Sequence, residues 1–134
     1  MTGPAHPVGE VAARLGISSE TLRYYERRQV LPAPGRDAAG RRVYRDDDVH
    51  LIEVLLHLRD TGMPLARIAE FTRLVASDPE GVPERLALLQ EHRTTVARKI
   101  DEMTHALAVI DQKIVDYTRR SAVAGPSATA RPSR

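Results

Sequence analysis

Stepping alternately by three and four residues from Leu86 gives Leu89, Arg93, Val96, Ile100, Met103, Leu107, Ile110, Ile114 and Tyr117. Nine of these ten positions are apolar. A repeat of this period, held for more than four heptads, predicts a coiled coil rather than an ordinary surface helix. At ~1.5 Å per residue the stretch is about 48 Å long. The chain ahead of it is too small to cover such a stripe, and folding back would leave apolar seam in water. The helix therefore needs a partner, and a second copy of the chain is the simplest one. The ten seam residues are the expected homodimer interface. Arg93 is the polar exception. Either it pairs with an acid across the interface, with Glu91 and Glu84 as sequence candidates, or it snorkels from the helix end.

The residues before the seam read as one small domain, as a 134-residue chain with a long extension requires. Val8, Val11, Ala12 and Leu15 are spaced as the buried face of a short helix, which Gly16 ends. Ile17 is a small apolar plug. Ser18 then offers a side-chain oxygen to the open amides of a second helix, with Glu20 in its first turn. That helix runs to about Arg28 and carries Leu22 and Tyr25, with Tyr24, inward or sideways. Two short helices joined by a tight turn are a helix-turn-helix.

Pro32-Ala33-Pro34-Gly35 cannot continue a helix. Arg36 to Tyr44 reads as a hairpin, with Asp37-Ala38-Ala39-Gly40 as its turn and Arg41-Arg42-Val43-Tyr44 as its return strand. A hairpin in this place is a wing. Asp46, Asp47 and Asp48 open a third helix whose buried face holds Val49, Ile52, Leu55, Leu56 and Leu58. A fourth helix runs from about Leu65 to Val75, with Leu65, Ile68, Ala69, Phe71 and Leu74 inward. The fold class expected is mainly α: a winged helix-turn-helix domain followed by a long dimerisation helix. Its parts are a flexible segment at 1–7, the domain at 8–76, a breaker-rich connector at 77–83, the coiled-coil helix at 84–118 and a disordered basic tail at 119–134.

Net charge is only +2, yet the charge is unevenly placed. Between Arg14 and Arg45 there are eight arginines against three acids, a local excess of five positive charges. A basic patch on a nearly neutral chain suits a phosphate-facing surface. With no cysteine, the chain has no disulfide, thiolate metal site or thiol redox switch. His6, His50, His57, His92 and His105 lack short ligand spacing, so no metal or other cofactor is expected. There is no phosphate-cradling glycine loop or nucleophile motif, which argues against an enzyme. No apolar run could span a bilayer and no signal peptide opens the chain, so a soluble cytoplasmic protein is the expectation.

Particular runs then carry a resemblance. Val8-Gly9-Glu10-Val11-Ala12, Gly16-Ile17-Ser18, Thr21-Leu22-Arg23-Tyr24-Tyr25-Glu26, Leu31-Pro32, Gly40-Arg41-Arg42-Val43-Tyr44 and Asp48-Val49 resemble the N-terminal signature of the MerR family of transcription regulators. The run from Leu58 to Leu65, followed by Ile68, resembles that family's second helix pair. Three positions depart from the pattern. Arg41 stands where the wing usually has Tyr, Arg45 where a Ser or Thr caps the third helix (so that the cap shifts to Asp46), and Pro64 replaces a common Ser cap.

The resemblance implies an antiparallel coiled coil between two chains bound to inverted half-sites in double-stranded promoter DNA. It also implies that the bound DNA is bent and untwisted so that RNA polymerase can engage both promoter elements. On the recognition helix, Ser18, Ser19, Glu20, Thr21 and Arg23 are placed to enter the major groove, and Arg27 faces phosphate. By resemblance Arg23 and Tyr25 belong to the DNA face, and Tyr24 to its border with the core, where packing and phosphate contact are both open. In the wing, Arg36, Arg41, Arg42 and Tyr44 are the backbone-clamping candidates, Arg42 and Tyr44 foremost. About seventeen residues follow Tyr117, too few for the effector domain of drug-sensing relatives. A small-molecule effector would use the dimer interface or the groove between the coiled coil and the third and fourth helices. Two other readings are an architectural DNA-bending protein and a coiled-coil interaction protein without sequence-specific DNA binding.

Overall fold

The computed structural model describes residues 4–78 and 80–129, with side chains as far as 123. It divides into two compact units, Met1–Arg93 and Thr94–Arg134. The elements are β1 (His6–Pro7), α1 (Val8–Leu15), α2 (Ser19–Arg27), β2 (Gly35–Arg36), β3 (Arg42–Tyr44), α3 (Asp46–Asp60), α4 (Leu65–Ala76) and α5 (Val82–Thr129).

The α1–α2 turn follows from its residues. Gly16 closes α1 at φ 72°, a left-handed conformation that costs glycine little. The Ile17 amide bonds back to the Ala12 carbonyl at 3.1 Å. Ser18 then caps α2, its Oγ accepting the Thr21 amide at 2.9 Å. Val11, Leu22, Leu31, Tyr44, Ile52, Leu55 and Ile68 form the inaccessible centre of the core, where α1, α2, β3, α3 and α4 meet. Full burial of each such aliphatic side chain contributes ~1.5–3 kcal/mol.

The wing holds one strand more than its hairpin. The sheet order is β1-β3-β2, with His6 opposite Tyr44 and Gly35 opposite Val43. The segment expected to be flexible thus ends in a strand. The second edge of β3 supplies its backbone partners, and the His6 ring fixes it from both nitrogens. Nδ1 lies 3.1 Å from Glu10 and Nε2 lies 2.7 Å from Asp46, so β1 is tied to α1 and α3.

Helix α3 begins at Asp46, with Arg45 in the cap position where Asp46 was expected. The carboxylate that closes this end is Asp48, whose Oδ2 accepts the Arg45 amide at 3.0 Å. Pro64 caps α4 without a side-chain bond, its carbonyl accepting the Arg67 and Ile68 amides at 2.9 and 3.1 Å.

Helix α5 starts at Val82, earlier than expected, with Pro83 in the first turn where a missing amide costs nothing. It also runs past Tyr117 to Thr129, although a disordered tail was expected over 119–134. Arg119, Arg120 and Ala122 are good helix formers and no breaker lies between Tyr117 and Gly125, which accounts for the helix as far as Ala124. Residues 130–134 of that expectation lie outside the described residues. In its opening turns Leu88 is buried and Leu89 packs half-buried on the domain core. Glu91 bonds to Arg67, and His92 Nε2 lies 2.8 Å from Thr61 Oγ1.

Gly81 sets the approach of α4 to α5. A Cβ there would lie 2.3 Å from the Leu74 carbonyl oxygen, a backbone atom that cannot move alone. Gly81→Ala is expected to destabilise the chain by about 1–3 kcal/mol, read as a lower urea midpoint with unchanged slope. A neutral result would show that this junction is slack.

Candidate nucleic-acid interface

Helix α2 has three kinds of position. Leu22 is buried, and Tyr25, three residues on, packs against the same core. Its hydroxyl accepts a hydrogen bond from Arg59 Nη1 at 3.1 Å, with the guanidinium 5.7 Å from the ring centroid. That bond, first among several influences, pushes the Arg59 pKa above its ordinary value. Tyr25 therefore packs on the domain core, as its helical spacing from Leu22 implies, whereas the resemblance implies a place on the DNA face. Tyr24 points outward. Arg28 donates to its hydroxyl at 2.9 Å and lies 5.7 Å from its ring. The difference between the two has a simple cause: successive helical residues are turned by ~100°, so only one of two adjacent tyrosines can share the face of Leu22.

Ser19, Arg23 and Arg27 recur at four-residue spacing, along one line of the helix. Arg23 is half-exposed and Arg27 exposed, and neither makes an ion pair with any described residue. Glu20 is exposed beside them. Ser18 and Thr21 are engaged locally, their hydroxyls 2.8 Å apart. Among the described residues, Arg23 and Arg27 are the cations of this helix that make no ion pair or side-chain hydrogen bond.

The four candidate residues of the wing divide into two pairs. Arg36 is exposed and donates to the Gly40 carbonyl at 3.1 Å. Arg41 reaches Asp37 at 3.1 Å, while the Ala39 and Arg41 amides both donate to the other Asp37 oxygen at 2.9 Å. The Arg41 amide, foremost among these influences, holds the Asp37 carboxyl below its usual range. Both guanidiniums stand at the wing tip.

Arg42 and Tyr44 turn the other way. Both donate to Glu26, whose side chain is only 4% exposed. Tyr44 is 1% exposed, so it is a core residue, a correction to its place as a phosphate clamp. Burial, then the Glu26 carboxylate, pushes the Tyr44 pKa well up, and the hydroxyl stays protonated and donates. Glu26 was missed in the sequence. Two signals pointed to it: an acid four residues after buried Leu22, and two polar residues at alternate positions of β3, which share one face.

Among the described residues, no three His, Asp or Glu side chains gather in a metal-binding cluster, and no helix is long and apolar enough to cross a membrane. A groove of about 410 Å³ between α4 and the start of α5 is lined by Arg67, Glu70, Glu84, Leu88 and Glu91. An apolar groove of about 600 Å³ lies between Leu31–Ala33 and the end of α4.

Residues 7–74 match the MerR HTH family regulatory proteins, and residues 49–116 match the MerR DNA-binding family. An uncharacterized HTH-type transcriptional regulator of Haemophilus influenzae is 30% identical, the alignment covering 95% of this chain and 94% of that protein. The crystal structure of HiNmlR, a MerR family regulator lacking the sensor domain, bound to promoter DNA, superposes with a TM-score of 0.80. It is 30% identical and covers 93% of this chain and 99% of its own. A MerR family regulator structure from Listeria monocytogenes gives 0.83 at 26% identity, covering 92% and 94%. The chain belongs to the MerR family of helix-turn-helix transcription regulators. Its winged domain is the family's DNA-binding domain, and its long terminal helix belongs to the same fold.

Proposed function

We propose that two copies of this chain pair through α5, antiparallel, and present their α2 helices to inverted half-sites in a promoter. The observation that carries this is the uncovered stripe on α5. Ile100, Met103, Leu107, Ile110, Ile114 and Tyr117 run from 54% exposed at Ile110 to 72% at Met103. Apolar side chains aligned this way on one helix face demand a partner surface. The DNA side of the reading rests on Arg23 and Arg27, free on α2, and on Arg36 and Arg41 at the wing tip.

Two modules joined in a dimer engage two half-sites together. Distorting the DNA between them draws on phosphate contacts from both wings, and RNA polymerase then reads the altered spacing. HiNmlR, a MerR family regulator lacking the sensor domain, was crystallised on promoter DNA, and that supports the reading. The protein acts in the cytoplasm, where the promoter is.

The test is binding to fragments of the protein's own upstream region across a salt series, beside Arg23→Ala/Arg27→Ala. Specific binding should fall steeply with salt, and the double variant should lower the salt slope by about two if both arginines meet phosphate. An unchanged slope and affinity would remove α2 from the interface. No specific site there or in a genome-wide selection would favour a protein-interaction role.

A further inference from the structure

The orientation and register of the pairing are carried by two residues. This deepens the dimer reading above and rests on it. Arg93 is the polar member of the seam, and among the described residues neither it nor Asp111 makes an ion pair. Both are exposed. The two acids first considered as Arg93 partners lie elsewhere. Glu91 bonds Arg67 of its own domain, and Glu84 lines the groove beside it.

Helical period places Arg93 toward the flank formed by the residues that follow Leu89, Val96, Met103, Ile110 and Tyr117. These are Gln90, Ala97, Thr104, Asp111 and Thr118, so this flank offers a single acid. In a parallel pair Arg93 would meet Arg93 of the second copy, two like charges in an apolar seam. In an antiparallel pair this flank faces its own counterpart. The register that uses the whole seam sets Leu86 against Tyr117, Ile100 against Met103, and Arg93 against Ile110. The hole receiving Arg93 is then made by Leu107, Ile110, Asp111 and Ile114 of the second copy. Its aliphatic stem covers the apolar members and its guanidinium reaches the carboxylate. A slip of one heptad either way brings Thr104 or Thr118 to that place and leaves seam residues unpaired at the ends. Full use of the seam and the placement of its one cation select the same register.

We infer that Arg93 and Asp111 of the second copy form a symmetry-related pair of ion pairs that fixes α5 antiparallel in this one register.

The chain has no cysteine, so thiol pairs can be introduced into the full-length protein. Arg93→Cys/Asp111→Cys, treated with a short thiol-to-thiol crosslinker, should yield a covalent dimer. Arg93→Cys/Thr104→Cys, Arg93→Cys/Thr118→Cys and Arg93→Cys alone should not. In sedimentation equilibrium Arg93→Glu and Asp111→Arg should each raise the dimer Kd at least ~10-fold. The two together should return it to within about threefold of the parent. Efficient crosslinking at Thr104 or Thr118, or through Arg93→Cys alone, would overturn the register, as would a failure of the double reversal to restore pairing. A parent chain that stays monomeric at about 100 μM, a Kd weaker than ~5.5 kcal/mol of association, would instead overturn the dimer itself.

Discussion

Replacing Glu26 with Ala is expected to cost about 3 kcal/mol of stability, a large share of what a small domain possesses. The carboxylate is 4% exposed and is the shared acceptor of Arg42 and Tyr44. Its removal leaves a half-buried guanidinium without its counter-charge and a buried hydroxyl without an acceptor. Both are expensive because water cannot fully replace the lost partner. Tyr44→Phe, which takes away one donor and leaves the ion pair, should cost roughly 1.5–2 kcal/mol. Urea unfolding of the three proteins measures both numbers. The same contact joins β3 of the wing to the recognition helix, so DNA affinity of Glu26→Ala should drop even where the domain remains folded. A melting curve indistinguishable from the parent would mean that Arg42 and Tyr44 find other partners. The conclusion that the wing is held from behind would then fall.

The other large effect lies in the long helix. Ile100→Asp puts a carboxylate into the apolar seam opposite Met103 of the second copy and away from Arg93, where its desolvation has no compensating bond. A dimer Kd raised by at least ~1000-fold follows from a penalty of about 4 kcal/mol. Sedimentation should show monomer at concentrations where the parent is dimeric. The unit Met1–Arg93 has its own core, so its unfolding transition should persist. Val109→Asp is the control, because Val109 is exposed but lies off the seam. Equal effects from the two substitutions would show that α5 pairs through some other face, or through none.

What was legible in the sequence followed the reach of each signal. Helix boundaries near Gly16 and Ser18 were readable because capping chemistry is local, and the buried faces of α3 and α4 because the helical period is regular. The long helix α5 was readable for the same reason. Contacts that join distant segments were not. Glu26 meets a strand that comes after a proline-rich loop, and on a charge count it looks like one more surface acid. His6 meets Asp46 across 40 positions, so nothing around His6 announces a strand. Leu88 sits one place off the seam and is buried because the first turns of α5 serve the domain as well as the stripe. Tyr25 was legible as an inward residue from its spacing to Leu22, whereas the outward place of Tyr24 turned on a single step of helical rotation. Arg42 and Tyr44 matched a DNA-facing motif, yet the structure uses both to position the surface from within.

The most direct test is a selection of bound sites from random double-stranded DNA by the full-length parent protein. Recovery of two half-sites in inverted orientation at one fixed spacing, with two chains per duplex, is the predicted result. Enrichment of a lone half-site or a direct repeat, or no enrichment, would contradict a regulator that reads DNA as an antiparallel dimer.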